Sequence, residues 1–165
     1  MSTQGTGGHA LAVKQGMVLF VFTQVFVVWV AFLVSWDICT RRLPDHLTLP
    51  GAGIIGLWAV VVEPWFLMGG MGWFLLYLVS AGVVGGIGGG DIKFALGLGT
   101  VAATGGVKAW MMAVVGASLF TIALAGVLAV VYSHPRMGVR VDRRVPHGPG
   151  MAIATCCALV VVQAW

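Results

Sequence analysis

An uncharged apolar stretch near the start of the chain limits what the protein can fold into. Between Lys14 and Asp37 no charged side chain occurs, and Val, Phe, Leu and Trp dominate the sequence there. A membrane-spanning helix needs about 20 consecutive apolar residues, and this stretch is long enough. We therefore predict a first spanning helix over residues 16–38.

The composition extends this prediction to the whole chain. Hydrophobic residues make up 59% of the sequence and charged residues 8%, and the mean hydropathy is +1.01. These values are typical of a polytopic membrane protein, so we predict an all-α, multi-pass integral membrane protein. We expect one membrane-embedded domain over residues 1–165, with residues 1–15 as a flexible tail. About six spanning helices are predicted, over residues 16–38, 47–62, 65–86, 91–104, 107–132 and 148–165.

The basic residues of the loops predict the orientation in the membrane. Alternating loops place seven cations on one side: Arg41, Arg42, Lys93, Arg136, Arg140, Arg143 and Arg144. By the positive-inside rule this side is cytoplasmic. Asp37 and Asp91, which were not used in the assignment, then lie at the same cytoplasmic face. The net charge is +4 and the pI is near 9.4. Because the basic residues lie in short loops between apolar segments, we interpret them as topology signals and expect no nucleic-acid partner.

Two aspartates stand out as candidates for chemistry. Asp37 ends the first apolar run, and Asp91 directly follows the glycine-rich residues 85–90. Ionisable groups at or inside a bilayer are costly and are usually functional. Two carboxyl groups a few ångströms apart tend to share one proton, so one can activate water while the other donates a proton, as in aspartic proteolysis. Gly88 and Gly90 would let a substrate strand or a helix approach Asp91 closely.

Three short segments around the aspartates match one known sequence pattern. Residues 88–93, Gly-Gly-Gly-Asp-Ile-Lys, match the signature GxGDxK. Asp37 leads into Arg41-Arg42-Leu43-Pro44-Asp45 and then Leu47-Thr48-Leu49-Pro50, and Val145-Pro146-His147-Gly148-Pro149 contains PxGP. In this order, the segments resemble the type IV prepilin peptidases, a branch of the GxGD intramembrane aspartyl proteases.

The resemblance implies an aspartic endopeptidase that cleaves the basic leader from type IV prepilins or pseudopilins. It implies a bacterial or archaeal cytoplasmic membrane location, an active site toward the cytoplasm, prepilin substrates and lipids as partners, and no metal or cofactor. The catalytic pair would be Asp37 and Asp91. The supporting motif residues would be Gly88, Gly90, Lys93, Arg41, Arg42, Pro44, Pro146, Gly148 and Pro149. Nothing before Gly16 resembles the four-cysteine region of larger members, so we expect the compact form without N-methyltransferase activity.

Several of these residues also have simpler interpretations. Asp91 could cap the fourth helix. Lys93, roughly 200° around that helix from Asp91, is expected to reach the cytoplasmic interface, with a contact to substrate or lipid phosphate as the alternative. We read Arg41 and Arg42 as topology anchors, the prolines as residues that shape loops, and the histidines His46 and His147 as interfacial rather than as metal ligands.

Two other functions were compatible with an aspartate pair. A presenilin-like protease would need a Tyr-Asp pair and a late Pro-Ala-Leu motif, and the sequence around Asp37 and at residues 146–149 fits neither. A small proton-coupled transporter would use Asp37 and Asp91 as relay carboxylates. The composition allows a transporter, but the motif segments disfavour it.

Overall fold

The computed structural model describes residues 5–40, 43–83, 88–132 and 147–164. The regular elements in these ranges are all helical: α1 Gly5–Thr40, α2 Asp45–Val62, α3 Phe66–Val83, α4 Gly89–Ala102, α5 Gly106–Tyr132 and α6 Gly148–Gln163. A 3₁₀ turn, Ala103–Gly105, joins α4 to α5. The all-α prediction is confirmed for these residues, which contain no strand. The helix α1 begins at Gly5, inside the segment that the sequence predicted as a tail.

The outer surface of the helices is apolar. Val61 and Val83 are each 80% exposed, and Leu57 is 69% exposed. Such a surface suits lipid rather than water. In the described residues, four stretches are long and apolar enough to cross a membrane: Val21–Thr40, Asp45–Val62, Phe66–Val83 and Gly89–Val127. The chain is therefore an all-α membrane protein with four candidate spans rather than the six predicted, because α4 and α6 are individually short and α4 is counted together with α5.

The chain divides into two compact units, Met1–Phe32 and Leu33–Trp165. The first unit contains most of α1, where the rings of Phe26 and Trp29 lie 6.1 Å apart, one turn from each other. The second unit contains the last residues of α1 and the helices α2 to α6. All candidate site residues belong to the second unit.

Helix α4 is the centre of the second unit. It packs against α2, α3, α5 and α6, and 11 of its 14 residues are buried. Small residues allow this close packing, since a methyl group on Gly99 would lie only 2.6 Å from the carbonyl oxygen of Gly69 in α3. The indole nitrogen of Trp110, in α5, donates to the same carbonyl oxygen at 2.8 Å. The C-terminal half of α4 is thereby held inside the helix assembly, and Asp91 lies at the other end of the same helix.

Candidate active site

Asp37 lies in the last turns of α1, and its side chain is buried, with 2% of its surface exposed. A buried carboxylate needs hydrogen-bond donors, since burial without them is costly. The backbone N–H of Gly148 donates to Oδ2 of Asp37 at 3.0 Å. Gly148 is the first residue of α6, so the donor is one of the free N–H groups at a helix N-terminus. The end of α1 and the start of α6 therefore meet at this carboxyl group.

Asp91 lies in the first turn of α4 and is also buried, with 9% exposed. The N-cap residue of α4 is Gly88, which makes Asp91 the third helical residue rather than the cap that the sequence suggested. The backbone N–H of Gly88 donates to Oδ2 of Asp91 at 3.2 Å. In a capping box, the third helical residue accepts from the N-cap N–H, and the N-cap side chain accepts from the N–H of the third residue. Only the first of these two bonds forms here, because glycine has no side chain. Asp91 thus stabilises the N-terminus of its own helix.

The charge of Asp37 influences the carboxyl group of Asp91. Helix α4 packs against α6, whose first residue binds Asp37. The charge of Asp91 also reaches the phenol of Tyr77 in α3, a buried residue that the sequence analysis did not single out. Buried carboxyl groups of this kind share one proton when they lie close together.

The segment before α2 lies directly against the first turn of α4. A methyl group on Gly90 would stand 2.5 Å from the carbonyl oxygen of Leu43 and 2.6 Å from its Cβ. The role of Gly90 in this structure is therefore to allow a close approach of the chain's own backbone next to Asp91. The following residue, Pro44, is the N-cap residue of α2, and its carbonyl oxygen accepts from the N–H of Thr48 at 3.1 Å.

Lys93 makes an ion pair that the sequence analysis did not predict. Its ammonium nitrogen lies 2.6 Å from Oδ2 of Asp45, the first residue of α2. The Lys93 side chain is 29% exposed and that of Asp45 is 61% exposed. Lys93 therefore links α4 to the start of α2. Asp45 lies between the first two predicted helices, in the loop that the charge pattern puts on the same side as Lys93. The opposite charges of the two residues were the signal that could have paired them.

Of the third predicted motif, residues 145–149, the structure describes residues 147–149. Gly148 and Pro149 are buried at the start of α6, where proline is tolerated because the first N–H groups have no partner within the helix. A methyl group on Gly148 would lie 2.8 Å from Oδ2 of Asp37, so this glycine sits directly against the carboxyl group. Arg41, Arg42 and Pro146 lie outside the described residues.

His46 and His147 are the two histidines that the sequence analysis considered as possible metal ligands. No group of three or more His, Cys, Asp or Glu side chains is arranged to hold an ion in the described ranges. His46 is exposed, as expected for an interfacial residue. His147 is instead partly buried, and its Nδ1 lies 3.3 Å from the hydroxyl oxygen of Thr121 in α5.

These features define a class of protein, a helical membrane protein with two buried carboxyl groups, one bound by the N-terminus of α6 and the other in the first turn of α4. The model of the type IV leader peptidase family matches residues 24–133, which is two thirds of the chain and includes both aspartates. The chain therefore belongs to the type IV leader peptidase family, and its activity is that of a peptidase. The start of α6, with Gly148, lies beyond the matched residues. No curated protein and no solved structure matches the chain.

Proposed function

We propose that the protein is an aspartic endopeptidase that removes the basic leader peptide from type IV prepilins or pseudopilins. Asp37 and Asp91 are the catalytic pair. The observation that carries the proposal is that these two acids, distant in sequence, are both buried. Asp37 binds the first N–H of α6, and Asp91 lies in the first turn of α4, which packs against α6. The family match to leader peptidases supports the reaction class.

The reaction follows from a carboxyl pair that holds one proton. The ionised carboxylate takes a proton from water as the water oxygen attacks the carbonyl carbon of the scissile peptide bond. The protonated carboxyl group donates its proton to the carbonyl oxygen, which gives a neutral tetrahedral intermediate. The C–N bond then breaks as the amine nitrogen takes a proton from the pair, and one hydroxyl group of the intermediate returns a proton to the pair, so that the second product is a carboxylic acid. The pair ends the cycle with one proton, as it began.

The backbone donors suit this chemistry because they carry no formal charge. Gly148 N–H holds Asp37 and Gly88 N–H holds Asp91, each through Oδ2. A cation in either position would favour ionisation of both acids and would oppose proton sharing. The N–H groups fix the orientation of the two carboxyl groups while leaving them able to exchange a proton.

The proposal also includes the placement in the membrane. We propose one membrane-embedded domain of the cytoplasmic membrane, with the aspartates toward the cytoplasm, as the loop charges predict. We propose about six spans, because the 39-residue stretch Gly89–Val127 contains two helices and the shorter apolar helix Gly148–Val162 can add one more. Cysteine labelling in a cysteine-free background tests the orientation. Arg140→Cys is expected to react only from the cytoplasmic side and Glu63→Cys only from outside; the opposite pattern would overturn it.

The function is tested with purified protein in detergent and a prepilin that carries a basic leader. Asp37→Asn and Asp91→Asn are each expected to lower cleavage to background. Each variant leaves only one acid, and one carboxyl group cannot be both the base that activates water and the acid that protonates the carbonyl oxygen. Glu63→Gln is the matched control, since Glu63 is an exposed acid at the far end of α2. Full cleavage by either aspartate variant would refute the catalytic pair. Absence of cleavage by the wild-type protein, with proton-driven uptake in vesicles, would favour the transporter alternative.

A further inference from the structure

A hydrogen bond joins α5 to the N-terminus of α6 next to the candidate catalytic pair. Nδ1 of His147 lies 3.3 Å from Oγ1 of Thr121. A threonine hydroxyl has one hydrogen, and Thr121 donates it to the carbonyl oxygen of Ala117 at 3.0 Å. Oγ1 of Thr121 must therefore accept in the bond with His147, so the proton lies on Nδ1 of the imidazole.

The ring of His147 is not used to cap its own helix. His147 is the N-cap residue of α6, but its side chain makes no hydrogen bond to the first turn of that helix. The side chain instead binds α5, while the carbonyl oxygen of His147 accepts from the N–H of Met151 at 3.1 Å. Position 147 is also the open position of the PxGP motif, so the motif itself does not account for a histidine here.

The residue after His147 supplies the donor to the catalytic carboxyl group. Gly148 N–H donates to Oδ2 of Asp37 at 3.0 Å. Pro149 has no N–H, so Gly148 and the residues beyond Pro149 are the only possible backbone donors in this turn. The position of the α6 N-terminus therefore determines whether a backbone donor reaches Asp37.

The first turn of α6 lies close against the same face of α5. A methyl group on Gly150 would stand 2.8 Å from Cδ1 of Phe120 and 3.4 Å from the carbonyl oxygen of Ala117. Ala117, Phe120 and Thr121 occupy adjacent positions on one side of a helix. The bond between His147 and Thr121 is thus part of a close contact between α5 and the first turn of α6. The same turn of α6 carries Gly148, whose N–H donates to Asp37.

We infer that His147 is a positioning residue, which fixes the N-terminus of α6 to Thr121 so that Gly148 N–H reaches Asp37. The inference rests on the proposed function, because its effect is on the orientation of a catalytic carboxyl group. Small displacements of a catalytic group are costly, about a hundredfold in rate for 1 Å. Loss of one tether moves the group by less, so we expect about a tenfold loss.

The test compares variants that keep or remove the hydrogen bond. Thr121→Val removes the acceptor at nearly constant shape, and Thr121→Ser keeps it. His147→Leu removes the donor, and His147→Asn offers an amide N–H near the position of Nδ1. Ser118→Ala is the control on α5, because Ser118 is exposed and its hydroxyl binds only the carbonyl oxygen of Val114 in its own helix, at 3.1 Å.

We expect Thr121→Val and His147→Leu each to lower kcat about tenfold with little change in KM. The double variant should be no worse than the poorer single variant, because both remove one bond, and Thr121→Ser should restore kcat. Independent effects of the two residues, or a Thr121→Val kcat within twofold of the Ser118→Ala value, would overturn the inference. If Thr121→Val does not fold, His147→Leu and its rescue by His147→Asn decide the question.

A second readout separates this inference from the proposed function. The infrared band of the Asp37 carboxyl group can be assigned by its loss in Asp37→Asn, with no substrate present. We expect the band to shift in Thr121→Val and to return in Thr121→Ser, even in a preparation that cleaves no prepilin. An unshifted band in Thr121→Val would overturn the positioning role, while absent cleavage by the wild type would count only against the peptidase.

Discussion

Replacing Gly90 by alanine tests how the site is assembled. The new methyl group would stand 2.5 Å from the carbonyl oxygen of Leu43, whereas ordinary contacts begin at 3.4 Å. Relief therefore needs a relative displacement of about 0.9 Å between the first turn of α4 and Leu43. Leu43 contributes backbone atoms here, so a side-chain rotation cannot relieve the contact. Because Asp91 is the next residue, we expect the displacement to move its carboxyl group.

The expected loss in kcat/KM for Gly90→Ala is about a hundredfold, the usual effect of a 1 Å misplacement of a catalytic group. The overpacking should also lower the free energy of unfolding by about 1–3 kcal/mol. Gly89→Ala is the matched control, because Gly89 lies in the same turn and a methyl group there has nothing within 4 Å.

The assay is cleavage of a prepilin in detergent, normalised to the folded fraction from thermal unfolding. Two results would refute the reasoning. One is a kcat/KM for Gly90→Ala within threefold of wild type, and the other is an equal loss in Gly89→Ala.

Three further predictions concern the neighbours of the pair. Gly148→Ala, whose methyl group would lie 2.8 Å from Oδ2 of Asp37, should displace the donor to Asp37 and lower kcat by about tenfold or more; a kcat equal to that of the wild type, measured per folded protein, would contradict this. A double-mutant cycle of Lys93→Gln and Asp45→Asn, measured as free energies of unfolding, should give a coupling energy below about 1 kcal/mol that weakens in salt, since the pair is partly exposed. A larger coupling energy that does not depend on salt would contradict this prediction. Burial lowers the pKa of His147, so the unfolded chain binds more protons and stability falls as the pH drops below about 6.5. His147→Asn should reduce that loss in thermal unfolding at acid pH, and an unchanged pH dependence would contradict it.

The helices could be predicted, and the two aspartates could be singled out as candidates, because both depend on local patterns. Apolar runs of the right length predict spanning helices, and α2, for example, begins at Asp45 and ends at Val62, within two residues of the prediction. Asp37 and Asp91 were recognisable because an acid beside an apolar stretch is rare and costly. The number of spans was harder to predict, since α4 is only 14 residues long and its apolar residues are buried by other helices rather than by lipid.

The contacts around the carboxyl groups could not be predicted because they depend on how the helices pack. The donor to Asp37 is a backbone N–H 111 residues away in sequence, and a backbone group leaves no trace in residue type. Gly90 was expected to make room beside Asp91, but the sequence could not tell that Leu43 fills the room. The bond between Thr121 and His147 likewise requires the register of α5 against α6.

The ion pair of Lys93 has a consequence for the aspartates. Lys93 is two residues from Asp91 in α4, and an ammonium group close to a carboxylate favours the ionised form. Asp45 binds that ammonium group at 2.6 Å, at the start of a different helix. Lys93 can therefore link α2 to α4 while its charge is neutralised by an acid outside the pair. The exposed position of Asp45 keeps this neutralisation in a region that water screens. Within the described residues, the hydrogen bonds to the buried pair come from the uncharged N–H groups of Gly88 and Gly148, a condition that favours proton sharing between two carboxyl groups.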